Sequence, residues 1–160
     1  MNLCLECGLC CNGVIFADVR LQPGDDPSYA RALGLPIRRP KFAQPCAAFE
    51  GCRCRIYEHR PSHCRNFECL LLKNVQRGRR DHNTALETIR NARRQTDTVL
   101  RLLRVLGDKD EHLPLKGRFQ RTLRRFERAD LHESAASSYS ELTLAMHKLN
   151  VLISTEFFAG

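Results

Sequence analysis

The sequence predicts a mainly α-helical protein, in which an irregular, cysteine-rich N-terminal lobe precedes a helical C-terminal lobe of about three helices. Two observations predict this division. All nine cysteines lie within the first 69 of the 160 residues, whereas apolar residues recur at helical spacing only after Gly78. We therefore expect two domains, a cysteine-rich domain over residues 1–78 and a helical bundle over residues 79–160.

Three helices are predicted in the C-terminal lobe. The first begins after an N-cap at Asn83, ends at Gly107, and has an apolar face of Ala85, Ile89, Ala92, Thr96, Val99, Leu103 and Leu106. The second, from about Lys116 to Ala129, presents Phe119, Leu123 and Phe126. The third, from about Glu133 to Phe158, presents Leu142, Met146, Leu149, Ile153 and Phe157. An antiparallel bundle is the simplest arrangement of three such helices joined by short loops.

The N-terminal lobe is predicted to be rich in loops. Residues 14–21 and 37–42 favour extended segments, and residues 29–33 favour a single helical turn before Gly34. Pro61 favours the start of a helix that continues towards Gly78. The positive N-terminal end of that helix would favour a thiolate at Cys64.

Composition restricts the compartment and the class of protein. No apolar run of 18 or more residues is present, which excludes a membrane-spanning helix. The N-terminus lacks the basic and apolar regions of a secretory signal, so we expect a cytoplasmic protein. Clustered cysteines in a reducing compartment more often bind metal than form disulfides. A disulfide-stapled domain is the alternative, and an odd count of nine cysteines fits it poorly.

The first cysteines follow a metal-binding spacing. Cys4, Cys7 and Cys10 are each separated by two residues, which suits closed zinc sites and also the iron–sulfur clusters of bacterial-type ferredoxins. Gly8 stands where a turn that presents thiolates often requires a positive φ. Cys10 and Cys11 are adjacent and point in different directions, so they cannot easily chelate one ion together. Because thiolates suit zinc, copper(I) and iron–sulfur centres alike, the spacing leaves the metal open.

Three parts of the sequence form one pattern: CLECGLCC over residues 4–11, Cys46, and CRIYEHRPSHCRNFEC over residues 54–69. This pattern resembles the YkgJ-type cysteine-cluster family, whose members are described as zinc- or iron-chelating domains. The resemblance covers about residues 1–70. It implies eight metal ligands: Cys4, Cys7, Cys10, Cys11, Cys46, Cys54, Cys64 and Cys69. A related module in flagellin lysine methylases implies an iron–sulfur cluster, so we favour an iron–sulfur or iron centre and keep zinc as the alternative. Cys52 lies outside the family pattern.

Other residues near the cysteines are assigned supporting roles. Arg60 and Arg65 would offset the negative charge of a thiolate-bound metal, with Glu58 orienting one of them and Tyr57 packing beneath the site. An ordinary surface Arg–Glu pair is the alternative. Cys52 and His63 are further candidate ligands, and His59 is a weaker one.

The middle of the chain is strongly basic. Residues 70–128 contain sixteen Lys/Arg against seven Asp/Glu, an excess of +9 that exceeds the net charge of +8 of the whole chain. The arginines at helical spacing form a candidate face for nucleic acid or an acidic partner: Arg90, Arg94, Arg101, Arg104, Arg118, Arg121, Arg125 and Arg128. No aromatic side chains interleave with them as base-stacking platforms would, so a solvated helix face is the favoured interpretation.

The sequence therefore favours a metal-binding protein, and two other functions stay open. One is a metal- or cluster-dependent redox or transfer enzyme, for which no substrate-binding motif is present. The other is an adaptor that uses the basic helices.

Overall fold

The computed structural model describes residues 3–128 and 133–158. Within these ranges the chain forms seven α-helices, four short strands and one 3-10 turn, and it is mainly helical, as the sequence predicts. The chain divides into two compact units. The first comprises the described part of Met1–Glu68 with His112–Pro114, and the second comprises Cys69–Glu111 with the described residues after Pro114. Eight of the nine cysteines belong to the first unit, and Cys69 belongs to the second.

The first unit contains two small antiparallel ladders. Strand β1 (Asp18–Arg20) pairs with β2 (Lys41–Ala43), and β3 (Phe49–Glu50) pairs with β4 (Arg53–Cys54). The extended segments predicted over residues 14–21 and 37–42 are therefore strands only in part. The second is interrupted because Arg38 and Lys41 exchange two backbone hydrogen bonds, 2.7 and 3.0 Å, across a turn.

Three short helices complete the first unit: α1 (Leu3–Cys7), α2 (Pro27–Ala32) and α3 (Ser62–Asn66). Helix α2 begins after Asp26, whose side chain accepts a hydrogen bond of 2.7 Å from the Ser28 amide. The elements enclose a small apolar core formed by Val19, Leu21, Ala30, Leu35, Ile37, Phe42, Ala48 and Ile56. This core is the surface against which part of the cysteine cluster packs.

The second unit contains α4 (Leu70–Gln76), α5 (His82–Val105), α6 (Leu115–Glu127) and α7 (Glu133–Glu156). The helix predicted to run from Pro61 towards Gly78 is in fact two helices, because Cys69 adopts an extended conformation and caps α4, its Sγ accepting from the Leu72 amide at 3.5 Å. The predicted N-cap at Asn83 is wrong as well. Asp81 caps α5 and accepts from the Thr84 amide at 2.9 Å.

Helices α5 and α7 pack along the apolar faces that the sequence predicts. Every residue assigned to those two faces is buried. The faces include Leu106 and Phe157, which directly follow α5 and α7. Arg80, just before α5, forms an ion pair with Glu156 at the end of α7. The start of α5 therefore lies beside the end of α7, as in antiparallel neighbours. None of the helices within the described ranges has the length and apolarity that a membrane span requires.

Helix α6 packs differently from the prediction. Phe119, Leu123 and Phe126 are only half-buried, and the buried positions are Leu115, Arg118 and Thr122. The reason is an ion pair in the interior. The Nε of Arg118 donates to the Asp108 carboxylate at 2.7 Å, and the two side chains are 5% and 3% exposed.

Candidate metal centre

The segment from Cys4 to Cys11 is one helical turn followed by a left-handed residue. Cys4 and Cys7 lie on α1, and the Gly8 amide donates to the Cys4 carbonyl. Gly8 has a φ of +69°, which confirms the prediction made from its place in the motif. A Cβ at Gly8 would lie 2.8 Å from the ring of Phe49. The chain then turns back, because the Cys11 amide donates to the Gly8 carbonyl at 3.0 Å.

Cys11 and Cys46 are joined directly through the backbone. The Cys46 amide donates to the Cys11 carbonyl at 2.8 Å, although the two residues are 35 positions apart along the chain. The Cys46 Sγ accepts from the Ala48 amide at 3.4 Å, which holds the sulfur towards its own loop. This hydrogen bond therefore joins the N-terminal cysteine motif, residues 4–11, to the first of the later cysteines.

The hairpin of β3 and β4 carries two more cysteines. Cys54 on β4 pairs with Phe49, and the Arg55 amide donates to the Ala48 carbonyl at 2.8 Å, which keeps β4 beside the Cys46 loop. Gly51 and Cys52 form the turn, with φ values of +53° and +69°. Positive φ at both central residues is the geometry of the tight turns that match the twist of a hairpin. Cys52 therefore lies at the turn, beyond the strand residues.

Arg60 is held beside Tyr57 on the segment that leads to Cys64. Its Nε donates to the Tyr57 carbonyl at 2.6 Å, and its guanidinium lies 3.6 Å from the centre of the Tyr57 ring. Glu58, which the sequence suggested as an orienting group, is exposed. Arg65, on α3, is exposed and contacts the Ser62 hydroxyl at 3.4 Å. The anchor of Arg60 is thus Tyr57.

Asp25 is a residue of this site that the sequence did not reveal. One of its carboxylate oxygens accepts from both the amide and the hydroxyl of Ser62, at 2.9 and 2.7 Å, at the first residue of α3. The other oxygen accepts from the Gln22 amide at 2.8 Å. Asp25 and Ser62 are 37 positions apart, and no local sequence pattern predicts their contact, so only the fold identifies it.

Four thiols form one electrostatic group, with a fifth at its margin. Burial first, and then the neighbouring thiols of Cys46, Cys54, Cys64 and Cys4, raise the pKa of Cys11 to about 12. Burial also raises the pKa of Cys46, against the hydrogen bond from the Ala48 amide. Such a group resists ionisation unless a positive charge joins it.

Cys64 contradicts one expectation drawn from the sequence. The start of its helix was expected to favour a thiolate, but burial and the neighbouring Cys46 and Cys54 raise the pKa of Cys64 to about 12. Arg60 acts in the opposite direction and Asp25 in the same direction, and both effects are smaller than burial. Helix α3 has only five residues, so its dipole is too short to offset the desolvation of the sulfur.

The eight predicted ligands fall into different surroundings. Cys46, Cys54 and Cys64 pack against the apolar core of the first unit. Cys4 is exposed, whereas Cys7 and Cys10 are half-buried. Cys69 caps α4 in the second unit, and burial raises its pKa against hydrogen bonds from the Leu72 and Leu71 amides. None of the nine cysteines, all within the described ranges, forms a disulfide.

The thiols are neighbours without forming a closed site. Across residues 3–128 and 133–158, no three His, Cys, Asp or Glu side chains converge at the distances of a formed metal site. The effect of Cys46, Cys54 and Cys64 on the pKa of Cys11 reflects their proximity within one half-buried region.

The candidate histidines have aromatic neighbours. The His63 ring stacks on Phe67 at 6.1 Å between centroids and meets Phe16 edge-on at 5.2 Å. Its Nε2 is buried and accepts or donates no hydrogen bond among the described residues. His59 meets Tyr29 edge-on at 6.1 Å. These contacts support packing roles for both histidines.

Several arginines of the candidate basic face are engaged within the second unit. Arg118 is buried in its ion pair and is therefore not part of an exposed face. Arg104 pairs with Glu111 at 2.6 Å, Arg121 pairs with Asp110 at 3.2 Å, and Arg125 donates to the Leu106 carbonyl at the end of α5. Arg104, Arg121 and Arg125 are nevertheless exposed. The remaining four candidates are exposed too: Arg90, Arg94, Arg101 and Arg128. These contacts support the solvated-face interpretation.

The fold and site together define a cysteine-rich domain, followed by a helical unit. Residues 3–92, more than half of the chain, match the model of the CxxCxxCC family, whose domain is described as one proposed to chelate zinc or iron. The chain belongs to this family, and the resemblance recognised from its motifs is confirmed. No curated protein and no solved structure matches the chain.

Proposed function

We propose that this protein binds zinc or iron through a centre formed by Cys11, Cys46, Cys54 and Cys64. The observation that carries the proposal is geometric: the Cys46 amide donates to the Cys11 carbonyl, and Cys46, Cys54 and Cys64 pack against one apolar core. The effect of the other three thiols on the pKa of Cys11 supports it. Membership of a family described by zinc or iron chelation supports it.

The donor set fits such a metal. Zinc and iron centres accept four thiolates, and the positive charge of the metal would stabilise the thiolate form of these half-buried cysteines. Metal binding would replace the thiol protons, so coordination would release protons and add its free energy to folding. The bound centre would supply either a structural crosslink, if zinc, or electron transfer, if iron–sulfur.

The residues of the chain contribute charge and support. Arg60, anchored on Tyr57, supplies a cation near Cys64 and offsets part of the negative charge of a four-thiolate centre. The apolar core beneath Cys46, Cys54 and Cys64 limits water, which strengthens the attraction between metal and thiolate. The remaining ligands of the first unit that the family pattern implies are proposed to extend this centre or to form a second one: Cys4, Cys7 and Cys10. Cys69 stays a ligand implied by the family pattern alone.

Anaerobic purification with metal analysis and an absorption spectrum tests the proposal. Iron with acid-labile sulfide and a broad band near about 400 nm would identify an iron–sulfur centre. A colourless protein with bound zinc would identify a zinc site, and the number of ions per chain would distinguish one centre from two. Protein without zinc or iron, even after anaerobic reconstitution with each metal, would refute the proposed function.

A further inference from the structure

Asp25 connects two loops of the first unit at the start of α3. The Asp25 amide donates to the Gln22 carbonyl at 3.0 Å, and its carboxylate accepts from the Gln22 amide in return. The same carboxylate accepts from the amide and hydroxyl of Ser62. Three hydrogen bonds to one carboxylate therefore link a compact turn to the first residue of the helix that carries Cys64.

The position of Cys64 depends on where α3 begins. Cys64 is the third residue of a five-residue helix, which is too short to hold its own direction without anchoring at its ends. Proline at position 61 has no amide hydrogen, so the Ser62 amide is the first donor of this helix. Asp25 accepts from that donor, and a shift of α3 by a fraction of its turn would redirect Cys64.

Asp25 also contributes charge near Cys64. Its carboxylate and the Arg60 guanidinium act on the Cys64 sulfur with opposite signs. The negative charge at Asp25 opposes a thiolate, so its benefit to the site must come from position. The two effects can be separated by substitution, because asparagine removes the charge and keeps one acceptor oxygen for Ser62, although its amide nitrogen cannot accept from the Gln22 amide.

We propose that Asp25 is a positioning residue of the metal centre, which fixes the start of α3 through Ser62 and thereby directs Cys64 towards the other thiols. The inference rests on the proposed function and adds a residue outside the cysteine motifs. Partners of this kind, which orient a ligand without touching the metal, typically change metal affinity by about 10–100-fold when removed.

Zinc titration in competition with a chromophoric chelator, and the absorption spectrum of the cobalt(II) form, test the inference. We expect Asp25→Ala to weaken zinc binding by at least about tenfold and to alter the cobalt(II) spectrum. Asp25→Asn should restore affinity to within about threefold of the wild type, because its oxygen can still accept from Ser62. Ser62→Ala, which removes only the hydroxyl donor, should give a smaller loss and guards against an Asp25→Ala protein that does not fold.

Asp26→Asn is the matched control. It removes a carboxylate charge one position away and keeps a good N-cap for α2. Equal zinc affinity and equal cobalt(II) spectra in Asp25→Ala and Asp26→Asn would overturn the inference while leaving wild-type metal binding, and hence the proposed function, intact. A loss of zinc affinity in Asp25→Asn as large as that in Asp25→Ala would also overturn the inference. A wild type that binds neither metal would refute both proposals.

Discussion

The amide of Cys46 donates a hydrogen bond of 2.8 Å to the carbonyl of Cys11. This bond joins the N-terminal CxxCxxCC run to the loop between β2 and β3, and it sets two cysteines side by side. A backbone contact of this kind lowers the conformational cost of gathering the ligands of a metal centre.

Gly8→Ala tests the left-handed turn within the motif. Alanine at a φ of +69° is strained, and its Cβ would collide with Phe49. We expect the free energy of unfolding of the metal-free protein, measured with urea, to fall by about 1–3 kcal/mol. Gly24→Ala is the control, because Gly24 also has a positive φ but has open space around it. Equal losses in the two variants would show that the contact with Phe49 does not matter.

Arg118→Met tests the buried ion pair of the second unit. The substitution leaves Asp108 charged in an apolar environment, so we expect the free energy of unfolding to fall by about 3–5 kcal/mol. Adding Asp108→Leu should recover much of that loss, since the uncompensated charge is then gone. Arg121→Ala removes the exposed pair with Asp110 and should cost less than about 1 kcal/mol. A loss in Arg118→Met no larger than in Arg121→Ala would contradict this account.

The thiol cluster makes the stability of the metal-free protein depend on pH in the alkaline range. The pKa values of Cys11 and Cys64 rise from 9.0 to about 12 on folding. The folded state therefore retains thiol protons that the unfolded state loses, and stability falls as the pH rises from about 9 towards 12. Well below pH 9 these two thiols are protonated in both the folded and the unfolded state, so they do not make stability depend on pH there.

Urea unfolding of the chelated, reduced protein at several pH values measures this effect. The double variant Cys11→Ser, Cys64→Ser should show a shallower decline above pH 9, because its serines do not titrate there. The metal-loaded protein should follow the opposite trend at lower pH, since protons compete with the metal for thiolates. An unchanged alkaline slope in the double variant would be evidence against the shared burial of the two thiols.

Regular periodicity and local motif chemistry made part of this fold predictable. The faces of α5 and α7 could be read from apolar residues at steps of three and four, because burial of such faces is the main source of helix stability. Gly8 was identified because a tight turn between cysteines restricts its backbone. The family was recognised from two cysteine motifs with their flanking residues.

The features that escaped prediction depend on individual polar contacts, whether local or distant in the sequence. In the sequence, Arg118 appears as part of an exposed arginine stripe. In the structure it is buried, because Asp108, between α5 and α6, forms an ion pair with it. Asp25 resembles any acidic turn residue until Ser62 lies beside it. Cys69 was expected on a continuous helix, and instead its own side chain caps the start of α4. Pairwise polar contacts of this kind leave no periodic signal.

Metal retention by Cys46→Ser and Cys52→Ser is the most direct measurement of the central claim. Both substitutions replace one half-buried sulfur with oxygen, but Cys46 belongs to the coupled thiols and Cys52 lies at the hairpin turn. After anaerobic loading and gel filtration, we predict that Cys52→Ser retains zinc or iron at the wild-type level and that Cys46→Ser loses most of it. Full retention by Cys46→Ser, or equal loss from both variants, would contradict a centre built on Cys11, Cys46, Cys54 and Cys64.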